Sequence, residues 1–167
     1  KETGALTSYV YQEKELLDAP LEPNFVRALN ENDRASDMKG FSKTWVAAGK
    51  ERTVEAVTTE NIAAGAVRIN VTGTLGNGVP YAIGYVVYGN GDITVENQIM
   101  PEDNYDLIPL VGTTMKVPAE LNNVAYFGCG PQENYIDRKT GAFKGIYETT
   151  ADDLYIPYET PGETGTR

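Results

Sequence analysis

The segment AVRINVTGTLGNGVPYAIGYVVYGNGDITVENQI, residues 66–99, decides the fold. Apolar and polar residues alternate along residues 65–75, and residues 79–88 are rich in β-branched and aromatic side chains, as in half-buried strands. Asn77-Gly78 separates these runs and can adopt the positive φ angles of a tight hairpin turn. Asn90-Gly91-Asp92 then leads into a third alternating run, residues 93–99. The pattern predicts a meander of three antiparallel strands.

The rest of the chain shows mainly strand signals. Alternation at residues 6–11 and 53–58 predicts two more half-buried strands, and shorter signals occur at residues 115–117 and 124–127. From Gly128 to Arg167 the strand signals fade into a region rich in Gly, Pro and Tyr. The polar, aperiodic stretch 29–39 is typical of a long loop.

Helical periodicity is confined to residues 41–48. Phe41, Trp45 and Ala48 would share one face of this helix, and Gly49 can supply its C-terminal cap. One short helix among many strands predicts an all-β, antiparallel β-sandwich. Since no linker or repeat interrupts the chain, we expect residues 1–167 to form a single domain.

The composition excludes several classes of function. Twenty-four acidic residues against 14 basic ones give a net charge of −10, which disfavours binding to nucleic acid or to anionic lipid. The sequence contains no histidine, so the commonest general base and metal ligand is missing. The single cysteine, Cys129, has no internal disulfide partner, and we interpret it as an incidental thiol rather than a nucleophile.

Apolar runs are too short for a transmembrane helix, and Lys1-Glu2-Thr3-Gly4 does not begin a signal peptide. We therefore expect a soluble protein, cytoplasmic or periplasmic, and the sequence does not decide between these compartments.

A candidate cation site lies in an acidic loop. Oxygen ligands from this loop could hold a hard cation, but the spacing and the glycine of a calcium loop are missing. Side-chain hydrogen bonds to the loop backbone explain the same residues, so we predict no metal site and no cofactor in this segment. The loop residues concerned are Asn30, Glu31, Asn32, Asp33 and Asp37.

The stretch VAYFGCGPQENYIDRKTG, residues 124–141, is the most specific motif. It resembles the W-[FYL]-G-x-G-P-x-E-[NS]-Y-x-D-R signature of glycoside hydrolase family two β-galactosidases. DLYIPY (153–158), PGETGTR (161–167), LIPLVG (107–112), NFVRALNEND (24–33) and KETGAL (1–6) are also similar to segments of that family. The resemblance therefore covers essentially the whole chain. The chain departs from the family pattern at Tyr126, Leu29, Glu31, Leu110 and Cys129.

The resemblance implies a fold and a function. The fold would be the C-terminal supersandwich of the family, similar to galactose mutarotase and C-terminally incomplete, because the family's domain continues beyond the segment that resembles 161–167. The full enzyme would hydrolyse terminal β-galactosides with retention, using two glutamates of a TIM barrel that is absent here. This segment would be non-catalytic, packing on the barrel and supporting the rim of the substrate site. Its expected partners are other domains of the same chain, and homo-oligomer formation is left open.

The signature supplies the candidate site residues. In one interpretation Glu133 and Asp137 are paired catalytic carboxylates beside Arg138. In the other, which we favour, these charged groups and Asn134 fix a long loop through charge-assisted hydrogen bonds, and they brace the rim of the galactose site from behind. The full set is Gly128, Gly130, Pro131, Glu133, Asn134, Tyr135, Asp137 and Arg138.

The aromatic residues around the signature also allow two interpretations. They could stack on the apolar face of a sugar, but we favour packing against another domain, since tyrosine tolerates partial exposure. The residues are Tyr126, Phe127, Tyr135, Tyr147, Tyr155 and Tyr158.

Two other functions remain as alternatives. A stand-alone carbohydrate-binding module would present a concave aromatic surface and would bind galactose or lactose in isolation. An aldose epimerase shares the sandwich type, but such enzymes are built around histidines, which this chain lacks.

Overall fold

The structure, a computed structural model, describes residues 2–27, 35, 39–102, 107–132, 134 and 139–155, with only the backbone at 39–42. It divides into two compact units. The first holds the described residues of 2–27 and 39–116, and the second holds Ala35 and the described residues from Val117 onward. Every sheet among the described residues is antiparallel, which confirms the predicted all-β sandwich class. The single domain over 1–167 stays a prediction.

The first unit contains eight strands and one helix among its described residues. In chain order they are β1 (Val10–Tyr11), β2 (Lys14–Glu15), β3 (Ala19–Asn24), α1 (Lys39–Ala48), β4 (Thr53–Ala63), β5 (Ala66–Thr74), β6 (Pro80–Tyr88), β7 (Ile93–Ile99) and β8 (Gly112–Lys116). The largest sheet has the order β4-β5-β6-β7, while β1 pairs with β2 and β3 pairs with β8. The predicted three-strand meander is therefore confirmed as β5-β6-β7, and β4 extends it by one strand.

The two turns of the meander share one geometry. In residues 75–79 and in residues 88–92, the N–H of the first residue donates to the carbonyl of the fifth at 2.8 and 2.9 Å. Positive φ occurs only at the fourth residue of each turn, Gly78 (86°) and Gly91 (97°). These are three-residue loops with glycine in the left-handed position. The expectation of a tight turn with positive φ angles at the Asn77-Gly78 pair was therefore wrong: Gly78 alone adopts one.

Helix α1 begins two residues before the predicted start and ends at Ala48, as predicted. Trp45 and Ala48 are almost fully buried, and the Trp45 ring packs on Phe25 with centroids 5.2 Å apart. Side chains of β5, β6 and the turn between them complete this core: Val71, Leu75, Val79, Tyr81, Ile83 and Tyr85.

Gly49 has a different role from the left-handed cap that the sequence suggested. Its φ is not positive, and a Cβ at this position would collide with the carbonyl oxygen of Pro23. The glycine is required because β3 passes directly against the end of α1.

Arg52 ties three parts of the first unit together. Its side chain is only 4% exposed. Nη1 donates to the carbonyl of Gly49 at 2.5 Å and lies 3.5 Å from Oε1 of Glu22, while Nε donates to the carbonyl of Thr3 at 3.2 Å. The N-terminal segment, β3 and the end of α1 thus share one guanidinium.

The N-terminal part differs most from the sequence prediction. Of the predicted strand 6–11, only Val10–Tyr11 pairs as a strand, with β2, and Leu6 forms an isolated bridge with Leu21. β3 carries Pro20 and Pro23 and was missed, since proline lacks the N–H of a strand interior. β3 tolerates them because its one ladder among the described residues is with β8, and its bridge to Leu6 uses Leu21, which lies between the two prolines.

Candidate functional site

The candidate site begins on a hairpin of the second unit. β9 (Asn123–Gly130) and β10 (Phe143–Thr150) pair in register from Asn123 opposite Thr150 to Gly130 opposite Phe143. Short 3-10 helices precede each strand, at Ala119–Leu121 and Lys139–Gly141. The expectation that strand signals fade after Phe127 was wrong. Glycines at 128, 130 and 145 weaken the local strand propensity, while cross-strand aromatic pairing overrides it.

One face of the hairpin carries a pair of tyrosines. Tyr126 and Tyr147 lie opposite each other, with ring centroids 5.4 Å apart and planes inclined by 32°. The Tyr126 hydroxyl donates to the carbonyl of Pro131 at 3.3 Å. The Tyr147 hydroxyl lies 2.8 Å from the carbonyl oxygen of Phe143 and 3.1 Å from that of Gly130. Both hydroxyls therefore hold the corner where the chain leaves β9 through a cis Gly130-Pro131 peptide.

A glycine of the signature makes room for these rings. A Cβ on Gly130 would lie 2.5 Å from the Tyr126 hydroxyl and 2.9 Å from two ring atoms of Tyr147. Gly128 and Gly145 face each other on the same side, and a Cβ on Gly145 would lie 3.4 Å from the Tyr147 ring. Of the glycines in the signature, Gly130 is the one whose missing Cβ makes room for the aromatic pair.

The opposite face of the hairpin carries an exposed apolar pair. Phe127 and Ile146 are directly paired there, and each is 77% exposed. Cys129 is half-buried on this face, opposite Lys144. Burying two such side chains against a partner would contribute about 1.5–3 kcal/mol each.

A family model described as beta galactosidase small chain matches residues 1–167, the whole chain. The chain belongs to the β-galactosidase small-chain family. Among its relatives, the beta-galactosidase of Priestia megaterium is 32% identical over 168 residues, that of Vibrio cholerae 32% over 180 residues, and that of Lactobacillus delbrueckii subsp. bulgaricus 31% over 169 residues. Each match covers 100% of this chain but only 16%, 18% and 17% of the relative. The resemblance drawn from residues 124–141 is thereby confirmed.

The structure describes only some of the predicted site residues of this β-galactosidase small-chain segment. Gly128 and Gly130 lie in β9, Pro131 follows at the corner, and Asn134 is exposed. Glu133, Tyr135, Asp137 and Arg138 lie outside the described residues. The loop-fixing role of the charged residues, and the rival pairing of two carboxylates, both stay predictions.

The structure likewise describes only some of the aromatic residues singled out in the small-chain segment. Tyr126 and Tyr147 pack on each other, Phe127 points to the opposite face, and Tyr155 is 62% exposed. Tyr135 and Tyr158 lie outside the described residues. The described aromatics of this set are therefore one packed pair and two exposed side chains, and Phe127 lies on the opposite face of the hairpin from the pair.

The acidic loop considered for a cation, with Asn30, Glu31, Asn32, Asp33 and Asp37, lies outside the described residues. In the part of the chain that is described, no group of three or more Asp, Glu or Cys side chains could hold a metal ion. No helix of that part is long and apolar enough to cross a bilayer.

A groove in the first unit was missed by sequence reasoning. Its volume is about 540 Å³, and it lies on the face of the largest sheet that points away from the core. Its floor is β6, where Ala82 and Gly84 carry almost no side chain, and polar residues of the neighbouring strands form its walls: Arg68, Asn70, Glu96 and Gln98. Small residues at alternate positions of β6 were the available signal. A smaller cavity near Phe25 and Tyr81 is lined without any carboxylate.

Proposed function

We propose that this chain is a non-catalytic C-terminal domain segment of a β-galactosidase. In this proposal the whole polypeptide hydrolyses terminal β-galactosides, as the names of the relatives suggest. The segment packs against the catalytic part of the same polypeptide and supports the rim of its substrate site. The loop that carries Glu133 and Asp137 would contact that rim.

The exposed pair Phe127 and Ile146 carries this proposal. A two-stranded hairpin is at best marginally stable in water unless further strands or another layer cover it. Each of β9 and β10 has a single strand partner among the described residues, and the apolar pair between them faces solvent. More than four-fifths of each relative lies outside the matched segment, so a partner surface on the same polypeptide is the economical explanation.

Neither of the two cavities formed by described residues of the first unit supplies the carboxylate pair of a glycosidase. Retaining glycosidases need two carboxyl groups about 5–5.5 Å apart, one as nucleophile and one as acid and base. The groove above β6 is lined by one carboxylate, Glu96, and the cavity near Phe25 is lined by none. A single carboxylate cannot supply both roles.

The first test is turnover. The isolated chain, shown to be folded by circular dichroism, is assayed with a chromogenic galactoside, and we expect no rate above that of buffer. A rate that disappears in Glu133→Gln or Asp137→Asn, while the fold persists, would contradict the proposal. Calorimetry with galactose and lactose separates the carbohydrate-binding module, which would bind sugar in isolation.

The second test uses the whole polypeptide. We expect Glu133→Gln and Asp137→Asn to raise the KM for the galactoside while leaving kcat within about tenfold, because residues that only support a rim mainly alter binding. A fall in kcat of several orders of magnitude at unchanged KM would instead place these carboxylates in the chemistry.

A further inference from the structure

Asparagine is followed by glycine at two places in this sequence, Asn77-Gly78 and Asn90-Gly91. The asparagine of such a pair can deamidate without an enzyme. The backbone nitrogen of the glycine attacks the side-chain amide carbon of the asparagine, and glycine favours this attack because it has no Cβ to hinder the approach. The two pairs occupy the same position in turns of the same geometry, so they form a natural comparison.

In both turns the glycine nitrogen that would attack already donates a hydrogen bond within the turn. The N–H of Gly78 donates to the carbonyl of Leu75 at 2.8 Å, and that of Gly91 donates to the carbonyl of Tyr88 at 3.0 Å. Reaction therefore requires the turn to open, and its rate follows the local opening free energy at each place. That free energy depends on how each turn is buried and anchored.

The turn at residues 75–79 is built into the core. Leu75 and Val79 are 2% and 0% exposed, and the N–H of Gly76 donates to the carbonyl of Ala48 at the end of α1 at 2.9 Å. The Nδ2 atom of Asn77 is itself buried. Opening this turn would expose core side chains, and water has no ready access to the amide that must leave.

The turn at residues 88–92 lies on the surface. Tyr88 is 41% exposed, and the Asn90 side chain is exposed, with its Nδ2 donating to the Asp92 carboxylate at 2.7 Å. Two hydrogen bonds anchor the turn, from the N–H of Gly89 to the carbonyl of Gly65 and from the Tyr9 hydroxyl to the carbonyl of Gly91. Neither anchor buries Asn90, so opening here exposes little apolar surface.

We propose that Asn90 is a site of spontaneous deamidation in the folded protein, and that the fold protects Asn77. The nitrogen of Gly91 bonds to Cγ of Asn90 while the Cγ–Nδ2 bond breaks, and Nδ2 leaves as ammonia with the proton from the Gly91 nitrogen. Water then opens the resulting succinimide at one of its two carbonyls, giving aspartate or isoaspartate. Isoaspartate places an extra methylene in the backbone of the turn between β6 and β7.

The test measures both sites in one digestion product. Residues 69–116 contain no Lys or Arg before Lys116, so trypsin releases both asparagines on the same peptide. The whole polypeptide that carries this chain is incubated at mildly alkaline pH below its unfolding temperature, digested, and sequenced by fragmentation mass spectrometry. We expect Asn90 to convert at least about tenfold faster than Asn77 in the folded state.

The denatured chain is the matched control. In concentrated urea both sites are unstructured Asn-Gly pairs, and we expect their rates to agree within about threefold. Asn90→Gln should abolish the fast conversion and leave the Asn77 rate unchanged, whereas Asn77→Gln should leave the Asn90 rate unchanged. Equal rates in the folded protein, or an intact Asn90 after the urea-treated chain is fully converted, would overturn the proposal.

Discussion

Phe127 of β9 and Ile146 of β10 are directly opposed across the hairpin, and each is 77% exposed although both are large and apolar. On the other face of the same strands, Tyr126 and Tyr147 pack on each other and on glycines. The tyrosine pair is therefore packed within the hairpin, whereas the Phe127–Ile146 pair has no covering layer among the described residues. This asymmetry is the physical basis for treating the segment as a part that packs against something larger.

Ile146→Thr tests this basis. Threonine keeps the β-branched shape suited to a strand but removes apolar area. We expect the substitution to destabilise the whole polypeptide by about 1–2 kcal/mol and the isolated chain by less than about 0.5 kcal/mol. Denaturant unfolding of both forms measures the difference. Ile62→Thr, at an exposed isoleucine of β4, is the control, and an equal loss at both positions would remove the case for a docking face.

Gly130→Ala tests the fit between the tyrosines and the corner. The added Cβ would lie 2.5 Å from the Tyr126 hydroxyl, so the ring or the corner must shift. We expect a loss of about 1–3 kcal/mol in unfolding free energy, and a smaller loss when Tyr126→Phe removes that hydroxyl. Gly141→Ala is the control, because a Cβ there meets no atom within 4 Å. If the two alanine variants are equally stable, the glycine is not required for packing.

The sequence predicted well what depends on local pattern. The three strands of the meander follow from alternation over residues 66–99, and the buried face of α1 follows from the spacing of Trp45 and Ala48. The family signature includes Gly130 without giving the reason for a glycine there, which is the tyrosine pair above it.

What the sequence missed depends on contacts between distant residues. β3 contains two prolines and is a strand because it pairs with β8 and bridges to Leu6. β10 contains Gly145 and is a strand because it pairs along its whole length with β9. Gly49 was read as a cap, whereas the passage of Pro23 across the end of α1 demands it. No local window contains these partners.

Arg52→Met tests the buried guanidinium. Methionine keeps much of the apolar stem but leaves the carbonyls of Thr3 and Gly49 without their donor and Glu22 without its cation. We expect a loss of about 2–4 kcal/mol in unfolding free energy, measured in denaturant. Lys50→Met, at an exposed cation two residues away, should change stability by less than about 0.5 kcal/mol. A loss below about 1 kcal/mol for Arg52→Met would show that the network contributes little.

Glu15 should make the β1–β2 hairpin sensitive to acid. Its Oε2 accepts the Ser8 hydroxyl at 2.5 Å, and its Oε1 accepts the N–H groups of Tyr9, Leu16 and Leu17 at 2.8, 3.1 and 3.1 Å. These hydrogen bonds, that of Ser8 first, lower the pKa of Glu15 below its ordinary value of 4.5.

Because the pKa of Glu15 is lower in the folded hairpin than in the unfolded chain, the stabilisation is fully present above pH 4.5 and is lost as the pH falls through the lower folded value. The protection factors of the Tyr9 and Leu17 amides, which are exchange rates measured by NMR and divided into the intrinsic rate at each pH, should fall in step with titration of the Glu15 carboxyl between neutral and acid pH. In Glu15→Gln these amides should exchange faster at neutral pH and lose that acid dependence, whereas Glu13→Gln should keep it. An unchanged profile in Glu15→Gln would assign the protection of these amides to the β1–β2 pairing alone.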